Sequence, residues 1–447
     1  MKWFIGILKA GSPWSIIIAL MVLILAAVPV AAVLGLLSMG LDEVFMRGRL
    51  SRAMGEFVWE QQRNFLLIAI PMYILMGEII LRSGIGQRMY SAVALWLNWL
   101  PGGLMHANVV SCSIFAATSG SSVATAATIG TVAYPEIEKR SYKESLFLGS
   151  IAAGGTLGIL IPPSIILILF GFITDTSVPE LFLAGVIPGL TLAILFLCAI
   201  LIACVIRPSW GGEKSEATWE QRIRTLPDLL PPLLLIIGVM GSIYTGWATP
   251  TEAAALGVIF ALLLAGFFRA LSFELLLRAF EGTMRITAMI MFIIMAAVFL
   301  NFILGFIGVS QALIGFIGDL GWSSLQTMIA LIIFYLILGM FMETLSMLLT
   351  TVPVVFPLVV SLELWGMGPA ETGVWFGILI TILMEAALIT PPIGVNLYVV
   401  QGIRQRPGPF GDVAWGAIPF VLMMIVMVFL LLFIPDLALW LPRQVIG

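Results

Sequence analysis

The sequence has few charged residues, one histidine and three cysteines. Charged residues make up 10% of the 447 residues, whereas a soluble domain has about 25%. No hydrophilic stretch is long enough for a separate soluble domain. The lone His106 argues against a histidine-ligated metal or haem, and without an HExxH or GxSxG motif an intramembrane enzyme has no catalytic constellation. The cysteines, all in apolar segments, are expected to pack without a disulfide or metal site: Cys112, Cys198 and Cys204.

Hydrophobic residues make up 61% of the chain, and apolar stretches of about 20 residues, the length that crosses a bilayer, recur throughout it. We therefore predict an all-α polytopic membrane protein. The first apolar stretch is too long for a signal peptide and is taken as a membrane helix. The nine predicted full crossings lie at about 12–38, 62–82, 144–173, 181–206, 228–247, 251–268, 283–308, 370–401 and 413–441.

Two further apolar stretches, at about 104–134 and 323–360, have polar or small residues near their middle. The interruptions are Thr118–Ser122 in the first stretch and Glu343–Ser346 in the second. We interpret each stretch as a re-entrant hairpin, in which two half-length helices meet at a polar tip. The segments before the hairpins are amphipathic and suited to the membrane surface, at about 84–100 and 309–320.

The basic residues favour this arrangement. With a cytoplasmic N-terminus, 16 of the 21 lysines and arginines fall in cytoplasmic loops, as the positive-inside rule requires. Five predicted crossings separate the two hairpins, so the hairpins must enter from opposite faces. Basic residues flank only the first hairpin, which is predicted to open to the cytoplasm, and the second is predicted to open to the outside.

A short internal repeat relates the two halves of the chain. The stretch Gly158–Ser164 (GILIPPS) resembles Leu388–Gly394 (LITPPIG), and each follows a hairpin. A Pro-Pro pair cannot continue a helix, and the carbonyl groups upstream lose their donors. One such pair is compatible with a structural kink, but inverted repeats with Pro-broken helices indicate a secondary transporter with its site near the membrane midplane. The predicted divisions are a first half (1–206, with a broken helix at about 144–173), a cytoplasmic linker (207–227) and a second, inverted half (228–447, with a broken helix at about 370–401).

Three acidic residues lie within apolar segments, where such residues are functional by default. Glu78 is expected to reach water near the cytoplasmic end of its helix, and Glu343 to be hydrated at the second tip. For Glu385 a functional role and a neutral, hydrogen-bonded structural role both remain open. The hairpins and broken helices contain no lysine or arginine, so an anionic substrate would depend on bound sodium and helix N-termini for a positive field.

Five sequence stretches, in order along the chain, match motifs of a known family. They are Pro71–Glu78 (PMYILMGE), Ser119–Gly130 (SGSSVATAATIG), Ala153–Ser164 (AGGTLGILIPPS), Thr249–Ala255 (TPTEAAA) and Thr390–Asn396 (TPPIGVN). They resemble the large membrane (M) subunit of tripartite ATP-independent periplasmic (TRAP) transporters, the DctM-like family. The resemblance implies an elevator-type, sodium-driven transporter of the bacterial inner membrane that imports an organic acid. It also implies a small four-helix membrane subunit (Q) as a separate chain and a periplasmic substrate-binding protein (P).

The resemblance further implies two sodium sites, each where a hairpin tip meets its broken helix, with many ligands supplied by backbone carbonyls. Site one would consist of Ser119, Ser122, Gly158, Ile161 and Pro163. Site two would consist of Ser346, or alternatively Thr344, with Ala387, Thr390 and Ile393. The candidates for substrate contacts are Ser121, Thr125, Thr344 and Asn396. Sodium is expected as the coupling ion, with no cofactor and no nucleic-acid partner.

One group of arginines is an exception to the charge rule. Arg47, Arg49 and Arg52 fall outside in the predicted topology. They form either a solvated loop or lipid-headgroup anchor, partly neutralised by nearby acids, or a contact surface for the small subunit or the binding protein. The alternative to the whole scheme is a stand-alone sodium- or proton-coupled carboxylate carrier of related architecture. A channel fits less well, because two half-sites suit alternating access better than a continuous pore.

Overall fold

The computed structural model describes residues 22–23, 28–213 and 217–445, and the regular structure in them is helical. The longer helices are α1 (Val30–Leu41), α2 (Met54–Gln62), α3 (Ala69–Arg82), α4 (Ile85–Leu97), α5 (Gly103–Ser119), α6 (Ser122–Ala133), α7 (Glu144–Leu160), α8 (Ile165–Thr174), α9 (Val178–Ile206), α10 (Leu230–Tyr244), α11 (Pro250–Phe267), α12 (Phe273–Ile307), α13 (Val309–Asp319), α14 (Ser324–Gly339), α15 (Thr344–Ser361), α16 (Pro369–Leu388), α17 (Val395–Gly402), α18 (Phe410–Phe433) and α19 (Asp436–Val445). Shorter helical segments lie at Asp42–Met46, Leu50–Ala53, Phe65–Ile68, Glu136–Lys139, Pro208–Trp210, Trp219–Thr225, Leu226–Asp228 and Leu364–Gly366.

The helices confirm a polytopic membrane protein. In the described part of the chain, 7 helices are long and apolar enough to cross a membrane, or up to 9 if each of two bent pairs is one span. The bent pairs are α7 with α8, and α10 with the short helical segments before it. One of the seven single helices is α15, which the sequence analysis placed inside the second hairpin.

Three of the predicted crossings differ from the helices observed. About half of the stretch 12–38 lies outside the described residues, and α1 begins after Pro29 and continues to Leu41. Helix α12 has 35 residues, which gives a length of about 52 Å, so it begins well before the predicted 283–308. The stretch 413–441 is two helices, because Pro435 has no N–H and disfavours helical geometry at Ile434, which has φ −129° and ψ 74°.

Each predicted hairpin is a pair of helices joined by a short turn. Helices α5 and α6 are joined at Gly120, whose φ of +60° suits glycine, and at Ser121. Helices α14 and α15 are joined by Met340–Glu343. The prediction of half-length arms is wrong for most of them. Helices α5, α14 and α15 have 17, 16 and 18 residues, lengths of about 24–27 Å that approach the thickness of a bilayer core.

Both Pro-Pro pairs interrupt a helix. Helix α7 ends at Leu160 and α8 starts at Ile165 with a bend of 41°. Helix α16 ends at Leu388 and α17 starts at Val395. Because proline has no N–H, the carbonyl groups of the residues four positions earlier lose their helical donor.

The hairpins and broken helices pack across the two halves of the sequence. Helix α7 lies against α5, α6 and α18, and the second part of each broken helix contacts the hairpin of the other half: α8 lies against α15, and α17 against α6. At one crossing the backbones themselves touch, because a Cβ on Gly149 would meet the backbone of Gly416. We call the two hairpins (α5, α6, α14 and α15), the two broken helices (α7, α8, α16 and α17) and α18 the hairpin bundle.

A second group of helices packs beside the hairpin bundle. Helix α3 lies against α11 and α12, while α1 covers α12 and α10 covers α11. We call α1, α3, α10, α11 and α12 the outer helices. The two groups meet where α3 contacts α5 and where α12 contacts α15, and the candidate site lies between them.

Candidate functional site: the cavity between the two hairpin tips

Both hairpin tips open onto one cavity of about 180 Å³. Its lining includes Ser119–Ala124 from the first tip and Glu343–Leu345 from the second. The outer helices α3 and α12 close the other side through Gly77, Glu78 and the segment around Ile286. The structure therefore brings together two tips that are more than 200 residues apart in sequence, and it places the outer helices against both.

Three helices begin at this cavity. The lining contains the first residues of α6 (Ser122, Val123), α8 (Ile165, Ile166) and α15 (Thr344, Leu345). The first amides of a helix have no partner within it, and the helix dipole is positive there. In each helix the third amide already donates to the N-cap side chain, which is Ser121, Ser164 or Glu343. No lysine or arginine is among the described residues that line the cavity, so the helix N-termini are the main fixed source of positive potential in this lining.

The first tip is held closely by its surroundings. The Ser122 hydroxyl donates to the Thr156 carbonyl oxygen at 3.2 Å, and the Ser119 hydroxyl bonds the Thr125 hydroxyl at 2.8 Å. A Cβ on Gly158 would lie 3.1 Å from the backbone nitrogen of Ser122. The carbonyl groups of Gly158 and Ile159 face proline nitrogens four residues later, so they have no helical donor.

These contacts bring most of the predicted sodium site one together. Ser119, Ser122 and Gly158 meet at the tip, and the Pro163 carbonyl oxygen lies 3.6 Å from the position of a Cβ on Gly120. Ile161 is the residue that follows α7 at the break, and its side chain faces Gly189 of α9. The sodium assignment itself stays a prediction.

The second tip is organised by Glu343. Its carboxylate caps α15, accepting from the Ser346 amide at 3.2 Å and from the Ser346 hydroxyl at 3.0 Å. In the break of the second broken helix, the Thr390 hydroxyl donates to the Ala386 carbonyl at 2.6 Å. A hydroxyl whose proton is used elsewhere presents lone pairs to a cation.

Predicted sodium site two is less assembled than site one. Ala387 contacts Gly339 of the second hairpin, while Ile393 has an exposed side chain. Ser346 and Thr390 are each engaged by their own helix. Thr344, the alternative to Ser346, is buried, lines the cavity and has a hydroxyl without a partner among the described residues.

Two of the four substrate-contact candidates line the cavity. They are Ser121, which caps α6, and Thr344. The other two are fully buried elsewhere. Thr125 bonds Ser119 behind the tip, and the Asn396 amide donates to the Ala152 carbonyl of α7 at 3.3 Å. Asn396 therefore joins the second broken helix to the first.

The intramembrane acids lie in three different settings. Glu78 is less open to water than expected: its side chain is 11% exposed and pairs with Arg82 at the edge of a cleft. Glu343 is exposed and caps a helix. Glu385 is fully buried against the Leu160 backbone, and neither carboxylate oxygen makes a hydrogen bond of ordinary geometry within the described residues. Because a buried carboxylate without partners is costly, this geometry suits a neutral carboxyl or one whose partner is an ion.

The predicted partner patch is an exposed loop. Arg47, Arg49 and Arg52 are exposed and form no ion pair in the described part of the chain. Asp42, expected to neutralise them in part, is 1% exposed and accepts from the backbone amides of Leu50 and Ser51 at 3.1 and 2.8 Å. It holds the loop closed through these two backbone bonds.

Two features of the site were missed from sequence. Gly77 lies where a Cβ would be 2.8 Å from the Ser119 carbonyl oxygen, so α3 supports the tip by backbone contact. Arg82, Arg278 and Arg285 line a cleft beside the cavity. The four-residue spacing of Glu78 and Arg82 could have predicted their ion pair, but only the packing of α3 on α12 brings the cleft together.

A comparison with known protein families shows which family this chain belongs to. The family model of the tripartite ATP-independent periplasmic transporter, DctM component, matches residues 17–437. The chain belongs to this family. It is therefore a TRAP transporter large permease subunit, a multi-pass inner-membrane transport protein, as the sequence motifs predicted.

Curated relatives cover most of the TRAP permease. The C4-dicarboxylate TRAP transporter large permease protein DctM of Pseudomonas aeruginosa is 31% identical over 88% of this chain and 90% of its own length. The ectoine TRAP transporter large permease protein TeaC of Halomonas elongata is 33% identical over 84% and 86%. The sialic acid TRAP transporter large permease protein SiaM of Vibrio cholerae is 28% identical over 86% and 88%.

A solved structure shares the fold. The YdaH transporter of Alcanivorax borkumensis, described as having an unusual topology, aligns with a TM-score of 0.62 over 95% of this chain and 99% of its own, at 13% sequence identity. At this identity the similarity concerns the fold alone.

Proposed function

We propose that this TRAP permease imports an organic acid, as the carboxylate, by sodium-coupled transport. The observation that carries the proposal is the convergence of three helix N-termini on one cavity, whose described lining contains no lysine or arginine. Helix N-termini bind carboxylates through their free amides and positive dipoles. The relatives reported above support this class of substrate, since one is named for C4-dicarboxylates and another for sialic acid.

Sodium would complete the site. The carbonyl groups left without donors at the Pro-Pro breaks and the hydroxyls of Ser119 and Ser122 are hard oxygen ligands of the kind that alkali cations take. The cavity also contains two carboxylates, Glu78 and Glu343, which disfavour an anion unless cations are bound nearby. Sodium binding before or with the substrate would link the ion gradient to transport.

The hairpin bundle and the outer helices support an elevator mechanism. The bundle contains both tips and both broken helices, and in the described part of the chain it meets the outer helices along α3, α10 and α12. The bundle would move as a unit against the outer helices. In the same scheme a periplasmic substrate-binding protein delivers the acid, and a small membrane subunit associates as a separate chain, as the tripartite family name indicates.

Sodium coupling is tested by uptake into proteoliposomes that contain the permease and its partner subunits. A sodium gradient should drive uptake, while potassium or proton gradients of equal size should not. Thr390→Val removes the hydroxyl bonded to Ala386 and should raise the sodium requirement more than Ile393→Val, whose contribution would come from its backbone. Equal uptake under all three gradients would end the proposal. Uptake of free substrate without the binding protein would favour the stand-alone carrier instead.

The orientation of the hairpins is tested by thiol labelling from outside. Lys139 follows the first hairpin and is exposed, so a cysteine there should be protected in intact cells with a permeabilised outer membrane. Beyond the second hairpin, Leu364 is buried, whereas its neighbour Trp365 is 54% exposed. A cysteine at 365, in a background without the native cysteines, should therefore be labelled by an impermeant reagent. The reverse pattern would invert the topology.

The arginine loop is tested as a partner surface. Replacing Arg47, Arg49 and Arg52 together with glutamine should slow assembly or transport, because exposed charges act mainly on association rate and are screened by salt. The loss should match that of the unmodified permease at high ionic strength. Full transport by the triple variant at low binding-protein concentration would leave the loop without a partner role.

A further inference from the structure

A second cavity adjoins the one between the tips. It is a cleft of about 470 Å³ between α3 and α12, lined by Glu78, Arg82, Arg278, Glu281, Gly282, Arg285 and Ile286. Glu78 and Ile286 line both cavities. A solute that left the tip cavity on this side would pass them and then meet the arginines. The predicted topology places this end of α3 and α12 at the cytoplasmic face.

One ion pair lies at the junction of the two cavities. Both Nη2 and Nε of Arg82 bind the same oxygen of Glu78, Oε2, at 2.7 and 2.8 Å. Glu78 fits there because residue 282 is a glycine: a Cβ at that position would lie 2.6 Å from Oε2. Glycine inside a helix is less favourable than alanine, and α12 has it at the position where the carboxylate packs.

The other two arginines of the cleft form exposed ion pairs. Arg278 pairs with Glu274 and Arg285 with Glu281, each four residues away on the same helix, and all four side chains are exposed. Exposed pairs of this kind contribute little and exchange readily. Each of the three guanidinium groups in the cleft therefore has one carboxylate partner, and only the Arg82 pair is largely shielded from water. Among the described residues that line the tip cavity there is no guanidinium group.

We propose that this cleft is an anion-transit site for the carboxylate substrate, in which Arg82 changes partner. Without an anion, Arg82 is held by Glu78. As the anion passes the junction, its carboxylate takes the guanidinium, which binds carboxylates with two parallel hydrogen bonds, and Arg278 and Arg285 draw it toward water. Glu78 is the internal competitor that releases the anion by reclaiming Arg82. The proposal rests on the carboxylate substrate proposed above.

The test uses a cysteine at the junction and succinate as the probe anion. Ile286→Cys, in a background without the native cysteines, is labelled by an anionic thiosulfonate reagent in purified permease. Millimolar sodium succinate should slow labelling more than sodium chloride of equal ionic strength. Arg82→Gln should weaken this protection roughly tenfold or more, since a charge-assisted hydrogen bond contributes about 1.5–3 kcal/mol, and Arg82→Lys should lose less.

Glu78→Gln separates a transit role from a structural one. Removing the competitor should strengthen succinate protection, the opposite of the Arg82→Gln effect, whereas loss of a purely structural ion pair would shift both variants the same way. Arg224→Gln, which breaks an exposed pair of the same spacing outside the cleft, should leave protection unchanged. Absent protection in the starting protein, protection that survives Arg82→Gln, or weaker protection in Glu78→Gln would each overturn the transit site. The assay needs no sodium gradient and no partner subunit, so it can fail while sodium-driven uptake succeeds, and the reverse.

Discussion

Replacing Gly77 with alanine should disturb the first hairpin tip through its backbone. The new Cβ would lie 2.8 Å from the Ser119 carbonyl oxygen and 3.0 Å from the Ser119 Cα. These are main-chain atoms at the end of α5, so no side-chain rotation can relieve the contact. To reach an ordinary contact distance, α3 and the tip must separate by about 0.5 Å.

The magnitude follows from the cost of overpacking. Inserting a methyl group into a tightly packed position costs about 1–3 kcal/mol, and alanine returns up to about 1 kcal/mol through its higher helix propensity. Ser119 belongs to the predicted sodium site one, so the strain should fall mainly on the sodium-bound arrangement. The gain in helix propensity applies to α3 with and without sodium, so it does not change the sodium affinity. Since 1.4 kcal/mol corresponds to a factor of ten, a strain of about 1–3 kcal/mol should raise the half-saturating sodium concentration by roughly five- to 150-fold.

The assay is sodium-dependent uptake into proteoliposomes, with the melting temperature in detergent measured in parallel. Gly241→Ala is the matched control, because Gly241 lies inside α10 and a Cβ there meets no described residue within 4 Å. The control should keep the sodium response and melt at the same or a higher temperature. If Gly77→Ala keeps both the sodium response and the melting temperature of the unmodified permease, then α3 does not position the tip as described.

Three further substitutions test the packing that holds the site. Gly149→Ala should lower the melting temperature by the equivalent of about 1–3 kcal/mol, because its Cβ would meet the backbone of α18. The control Gly266→Ala, whose Cβ meets no described residue within 4 Å, should not lower it. Equal melting temperatures of the two variants would refute the backbone contact. Arg404→Gln should lower the free energy of unfolding by about 1–2 kcal/mol, because this 5% exposed arginine joins a carboxylate on α7 to one on α18. An unchanged melting curve would show that the two ion pairs are dispensable. Asp42→Ala should cost about 1–3 kcal/mol of loop stability by leaving two backbone amides unsatisfied, seen as faster proteolysis in the arginine loop; an unchanged cleavage rate would contradict that role.

The sequence determined the class of structure, because its main signals are local. Apolar length, scarce charge and basic loops specify a polytopic membrane protein regardless of how the helices later pack. The Pro-Pro pairs broke both helices at the predicted positions, since proline acts on its own helix. The family motifs are likewise contiguous stretches. The predicted bounds of two helices were wrong. Helix α12 begins before its apolar part, and α18 ends at Phe433, just before Pro435.

Only the tertiary structure decided which of these local features meet. The shared cavity exists because the two tips converge, although they lie in different halves of the sequence. Asn396 has the local pattern of a site residue, yet packing turns it onto α7. Glu78 was expected to reach water, but Gly282 of α12 packs against its carboxylate and Arg82 pairs with it. The electrostatic field of the site is a sum over groups from separate helices, so it depends on distances between residues that no local pattern relates.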